Sequence, residues 1–180
     1  MRKINWKKIS SKQLAAIINE EFKKNSIEVI LVGGTCVTIY SDAIYQSYDL
    51  DYVTYENHNK VKKILENIGF FEKNRYFVHK ECPYFIEFVT PPVAIGIEPV
   101  KEFNYLKTKM GEIVLLSPTD CVKDRLAAFF HWNDLQSFNQ AIMVANKQKI
   151  DFSSIKKWAK KENCLEKYKE FYKALKKKQK

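Results

Sequence analysis

Arginine is scarce in this chain: only three of its 31 basic residues are arginine, and the rest are lysine. Dedicated phosphate readers lean on arginine's planar fork, so the formal charge of +10 does not by itself identify a nucleic-acid binder. The three histidines, His58, His79 and His131, form no HxxxH or HxxE arrangement and read as structural or surface residues. Cys36, Cys82, Cys121 and Cys164 are scattered without a CxxC pair. That argues against a zinc site and a disulfide framework, and they read as buried thiols in a reducing cytosol. Five glycines and five prolines leave no low-complexity linker. No apolar run approaches about 18 residues, and Met1 to Trp6 lacks a signal-peptide core, so a cytoplasmic chain without a membrane span is expected.

What is present suits one domain. At 180 residues and 46% hydrophobic composition the chain can bury a core without splitting. The expectation is a single domain over 1–180, with a core at about 26–116 and a helical part at about 117–180. Ile9, Leu14, Ile17, Ile18 and Phe22 recur near helical spacing over Trp6 to Lys24, with Ser10 or Ser11 as cap. Ser26 to Val32 reads as a strand, Cys36 to Tyr40 as a short helix, and Asn59 to Ile68 as a helix ended by Gly69. Phe70 to Val78 and Tyr84 to Val89 read as strands, and Glu98 to Phe103 and Glu112 to Leu115 as weaker ones. From Ser117-Pro118, a cap followed by proline at the first helical position, the pattern is helical: Asn133 to Asn146, Phe152 to Lys161 and Cys164 to Leu175 follow. Trp132, Phe138, Phe152 and Trp158 read as helix-packing residues. The fold class is α+β: a mixed β-sheet with flanking helices and a C-terminal helical cap.

The chemistry concentrates in Tyr48-Asp49-Leu50-Asp51-Tyr52. On a strand, Asp49 and Asp51 leave the same face while Leu50 turns away. Two carboxylates at that spacing repel and lose hydration unless a cation neutralises them. Mg²⁺, a hard ion bound by carboxylates together with substrate phosphates, suits them. Alternatively, the pair is a solvated strand edge. Upstream, an apolar β-branched run leads into Gly33-Gly34-Thr35 and a helix start, which brings free backbone N–H groups close to an anion. It is neither a dinucleotide fingerprint nor a P-loop. Glu87 is the only charge in Tyr84-Phe85-Ile86-Glu87-Phe88-Val89 and is the candidate third acid.

Gly33-Gly34, Asp49-x-Asp51 and an acid on a later strand resemble the nucleotidyltransferase (polymerase β-like) superfamily. More narrowly, the chain is similar to small bacterial nucleotidyltransferase-like domains related to toxin–antitoxin and abortive-infection toxins. The resemblance runs from about Ile27 to about Ala145 and includes Pro92-x-x-x-Gly96 and Ser117-Pro118-Thr119-Asp120 leading into Lys123-Asp124-Arg125-Leu126-Ala127-Ala128. The chain departs from it at Tyr45, where many relatives have arginine, and at Glu87, where aspartate is common. The resemblance implies transfer of a nucleoside monophosphate from an NTP to a hydroxyl on RNA, such as a tRNA end, or on protein. It implies two Mg²⁺ held by Asp49, Asp51 and Glu87, and a nucleotide bound by Gly33, Gly34, Thr35, Ser47 and one of Lys123 and Arg125. Asp124 and Arg125 read equally as an internal ion pair. A cognate antitoxin is a possible partner. Two other readings stay open: transfer to a small, antibiotic-type molecule, and an inactive nucleotide- or partner-binding module. Lysines such as Lys156, Lys157, Lys160 and Lys161 either follow an RNA backbone or form solvated helix faces.

Overall fold

Ser10 opens the first long helix with a reciprocal capping box. Its hydroxyl accepts from the Gln13 N–H at 3.2 Å, and the Gln13 side chain accepts from the Ser10 N–H at 2.9 Å. In this computed structural model the described residues are 4–178, so Met1 to Lys3, read above for a signal peptide, lie outside them. After a 3-10 turn at Trp6–Lys8, the order is α1 (Ser11–Lys24), β1 (Ile30–Val32), α2 (Gly33–Tyr40), β2 (Asp49–Val53), α3 (His58–Asn67), β3 (Phe71–Lys73), β4 (Tyr76–Val78) and β5 (Phe85–Val89). A small hairpin, β6 (Ala94–Ile95) and β7 (Glu98–Pro99), precedes β8 (Asn104–Thr108) and β9 (Gly111–Leu115). Four helices close the chain: α4 (Pro118–Trp132), α5 (Leu135–Lys147), α6 (Phe152–Lys161) and α7 (Leu165–Lys178).

Seven strands form one mixed sheet in the order β3-β4-β5-β2-β1-β9-β8. β2 runs antiparallel to β1 and parallel to β5. The fold class is the expected α+β. Alternation along β2 buries Leu50 and Tyr52 completely; the Tyr52 hydroxyl reaches the Ala15 carbonyl of α1 at 3.3 Å. Asp49 and Asp51 therefore project from the opposite side of the strand. Three strand expectations change. Ser26 to Val32 yields only β1, from Ile30, because Ser26 sits in a turn with φ of 55°. Phe70 to Val78 is a β3–β4 hairpin, turned at Asn74 with φ of 57°. Glu98 to Phe103 yields only β7, and β8 forms after it.

Ser117 caps α4 by accepting from the Asp120 N–H at 3.1 Å, with Pro118 in the first turn. The helical part is held by aromatic packing. Trp158 is fully buried, stacks on Phe130 with centroids 5.2 Å apart, and donates its indole N–H to the Ile95 carbonyl at 3.2 Å. Phe138 lies against Phe129 and Phe171, and Phe152 against Tyr172. Trp132 does not join them, contrary to expectation: it is 76% exposed. It ends α4 and sits off the buried stripe of Val122, Leu126, Phe129 and Phe130.

Candidate active site

The turn from β1 into α2 is shaped by what its glycines lack. Gly33 has φ of +69°, and a Cβ there would lie 2.2 Å from Oδ2 of Asp51; a Cβ on Gly34 would lie 2.7 Å from the Ser47 hydroxyl. The two glycines thus make room for a carboxylate and a hydroxyl to press against backbone at the start of α2. The Ser47 hydroxyl donates to Oδ1 of Asp49, while its N–H donates to the Thr38 hydroxyl at 3.0 Å. Thr35 behaves differently from expectation. Its hydroxyl is fully buried and donates to the Asp49 carbonyl at 2.6 Å, so it fixes the start of β2 instead of facing the cleft.

Strand pairing brings in the third acid. Asp51 and Glu87 are register partners across β2 and β5, and Tyr76 of β4 is the next partner beyond Glu87. Neighbouring strands lie about 4.8 Å apart, so the two carboxylates are side by side. Burial, then the Asp49 and Glu87 carboxylates, push the Asp51 carboxyl up to about 6. Arg75, at the β3–β4 turn, places Nε 3.3 Å from Oε1 of Glu87. Its guanidinium also lies 4.8 Å over the Tyr76 ring. The sequence reading missed Arg75; the one available signal was an arginine at a hairpin turn next to a strand.

The two candidate cations of α4 separate. Arg125 binds Asp124 through Nε at 3.0 Å and Gln140 at 3.4 Å, and its charge lowers the Asp51 pKa. Lys123 instead pairs with Asp120 at 3.3 Å and lines a cavity of about 220 Å³ with Ile95, Pro99, Val100 and Trp158. None of the three carboxylates lines that cavity, so the structure does not bring Lys123 to them. Tyr45 is half-buried with its ring edge 3.6 Å from where a Gly34 Cβ would sit.

No protein-family model matches the chain, and no curated protein matches it significantly. Solved structures do. An antigenic nucleotidyltransferase-like protein from Paracoccidioides brasiliensis superposes with a TM-score of 0.63 at 15% identity, covering 93% of this chain and 94% of that one. The fold is nucleotidyltransferase-like. The solution structure of the antibiotic-resistance factor ANT(2'')-Ia is also similar, with a TM-score of 0.50 at 12% identity over 95% of this chain and 98% of that one.

The sheet register sets Asp51 beside Glu87, with Asp49 two residues away on the same face of β2. Among the described residues, no three His, Cys, Asp or Glu side chains form a ready metal cluster; Glu87 is engaged by Arg75. The donor chemistry nevertheless fits a hard divalent cation. All the donors are carboxylate oxygens, and burial first, then the Asp49 and Glu87 carboxylates, disfavour the ionised form of Asp51, a cost that a bound cation would offset. Among the described residues no helix is long and apolar enough to cross a membrane.

Proposed function

We propose that this protein is a divalent-metal-dependent nucleotidyltransferase that moves a nucleoside monophosphate from an NTP to a hydroxyl acceptor and releases pyrophosphate. The observation that carries the reading is the register of Asp51 with Glu87, two residues from Asp49 and against the Gly33 turn. Asp49, Asp51 and Glu87 would hold Mg²⁺, which would supply positive charge to offset that of the triphosphate. The backbone N–H groups at Gly33 and Gly34 would bind phosphate oxygens at the start of α2. Ser47 orients Asp49 through its hydroxyl. Glu87 would accept the proton of the attacking hydroxyl. Arg125, tied to Asp124, offsets part of the negative charge at Asp51 without entering the carboxylate row.

For the acceptor we propose RNA, with a protein hydroxyl, as for a toxin, as the second case. Support comes from a groove of about 760 Å³ on α6 and α7, lined by Lys156, Lys169, Lys173, Lys176 and Lys177 around Phe152, Tyr168 and Tyr172. Lysines along such a groove attract a polyanion through its phosphates. A small-molecule acceptor is the competing reading, favoured by the fold shared with an antibiotic-resistance factor.

The decisive experiment incubates the full chain with each labelled NTP, Mg²⁺ and either total RNA, total protein or aminoglycosides. Label should enter RNA with the parent and not with an Asp49→Asn, Asp51→Asn double variant. Equal labelling by the double variant, or none by the parent with any acceptor, would sink the reading.

A further inference from the structure

Arg75 and Glu87 form an ion pair of unequal partners. The arginine side chain is 70% exposed and the glutamate 19%. Arg75 springs from the tight β3–β4 turn, directly after the left-handed Asn74. Its nearest approach to Glu87 is 3.3 Å, and its other anchor is the neighbouring Tyr76, through the ring face and the hydroxyl. An exposed ion pair of this kind changes an equilibrium by at most about fivefold. Arg125, the other arginine near the carboxylates, is committed to Asp124 and Gln140. Of these two cations, Arg75 is the one able to leave.

We propose that Arg75 is an exchangeable counter-ion of the carboxylate site, holding Glu87 in the free protein and passing to the triphosphate when NTP and a divalent cation bind. The inference rests on the nucleotidyl-transfer reading above. While Arg75 neutralises Glu87, it competes with any cation that the three carboxylates could share. A triphosphate is the better partner for the guanidinium. It offers paired oxygens that match the arginine fork and carries more negative charge than one carboxylate. The exchange therefore couples the two ligands: the incoming nucleotide draws Arg75 away and frees Glu87 for metal. No covalent step is involved. Arg75 acts here as a positioning residue for Glu87 and as a contact for substrate.

The test uses the full chain as parent, Arg75→Ala and Arg75→Lys, titrated calorimetrically with Mn²⁺ alone and with each NTP in Mg²⁺. Arg75→Ala should bind Mn²⁺ about two- to fivefold more tightly, since its competitor is gone. The same variant should bind the preferred NTP about tenfold or more weakly, having lost a charge-assisted contact. Arg75→Lys should fall between parent and alanine in both titrations. A merely structural arginine would move both affinities in the same direction, so the opposite signs are diagnostic. Unchanged or weaker Mn²⁺ binding by Arg75→Ala, or unchanged NTP binding, overturns the proposal. A parent that binds Mn²⁺ but no nucleotide overturns the proposed function and the triphosphate half of this inference, and the Mn²⁺ titration still decides the competition for Glu87. A parent that binds neither overturns both.

Discussion

A Cβ on Gly33 would lie 2.2 Å from Oδ2 of Asp51, so the carboxylate and the backbone that faces it share a space only glycine leaves open. The backbone at Gly33 is also left-handed, at φ of +69°, where a side chain costs about 1–2 kcal/mol. Gly33→Ala should therefore lower stability by about that amount and push the Asp51 carboxylate away from the turn. Urea unfolding measures the first effect. Loss of the NTP-dependent rise in melting temperature, which reports binding to the native state, measures the second. An alanine variant that keeps both would show that the close approach has no role.

Asp51 makes stability depend on pH. Its pKa lies at about 6 in the fold against an ordinary 3.8, through burial and the Asp49 and Glu87 carboxylates. A carboxyl with a raised folded pKa holds its proton more tightly folded than unfolded. Its contribution thus weakens the fold as pH rises from about 4 to about 6 and stays unfavourable above that. A separation of this size corresponds to about 3 kcal/mol at most. Asp51→Asn should gain on the parent across that window and be the more stable protein at pH 7. Denaturant melts of both proteins from pH 4 to 7.5 check this; a constant gap between them would contradict it.

Glu162, at the C-terminus of α6, clamps the β6–β7 turn. Its side chain is only 4% exposed and accepts from the Ile97 N–H at 2.9 Å, with His131 Nε2 at 3.2 Å. Gly96 leaves space for it, since a Cβ there would stand 2.1 Å from Oε1. Glu162→Ala should cost about 1–2 kcal/mol and speed hydrogen exchange at Ile97. Glu162→Gln, which keeps an acceptor, should lose less. Equal losses in the two variants would show that packing, not the hydrogen bond, holds the turn.

The two C-terminal tryptophans should separate cleanly. Trp132→Ala removes an exposed side chain and should change stability by no more than about 0.5 kcal/mol. Trp158→Ala empties a buried site between α4, α6 and the β6 carbonyl and should cost about 3–5 kcal/mol. Thermal or denaturant unfolding of both variants decides it, and similar losses would refute the assigned burial.

If RNA is the acceptor, the α6–α7 groove should bind it. Glu substitutions at Lys156, Lys173 and Lys177 should weaken RNA binding and flatten its salt dependence by close to one unit of slope per contact, leaving NTP-induced stabilisation intact. Lys157 and Lys160 do not line the groove, and Lys161 is tied to Glu98, so reversing these three should matter less. RNA affinity indifferent to salt and to the groove lysines would transfer the acceptor role to protein or a small molecule.

Local rules carried the parts of this protein that the sequence alone could determine. Ser10 and Ser117 start helices through bonds to residues three positions on, so their caps were legible. Asp49 and Asp51 share a face because strand alternation has period two, which needs no partner strand. The α+β class followed from the order of such segments. β8 escaped because Asn104 to Thr108 is a mostly polar strand at one end of the sheet, with no apolar alternation to reveal it.

Tertiary structure alone decided who meets whom. Nothing in the periodicity of β2 or β5 states that they pair, yet that pairing sets Asp51 beside Glu87. The same applies to Arg75, which reaches Glu87 only because β4 lies next to β5 in the sheet. Thr35 and Lys123 were plausible phosphate ligands by position, but each polar group takes the partner that folding puts within reach. For Thr35 that is the Asp49 carbonyl, and for Lys123 the carboxylate of Asp120 one helical turn earlier. Trp132 and Trp158 are the same residue type, both on C-terminal helices; the end of α4 leaves one in solvent, and the β6 hairpin covers the other. Such outcomes depend on long-range strand order and helix packing, and no window of sequence contains them.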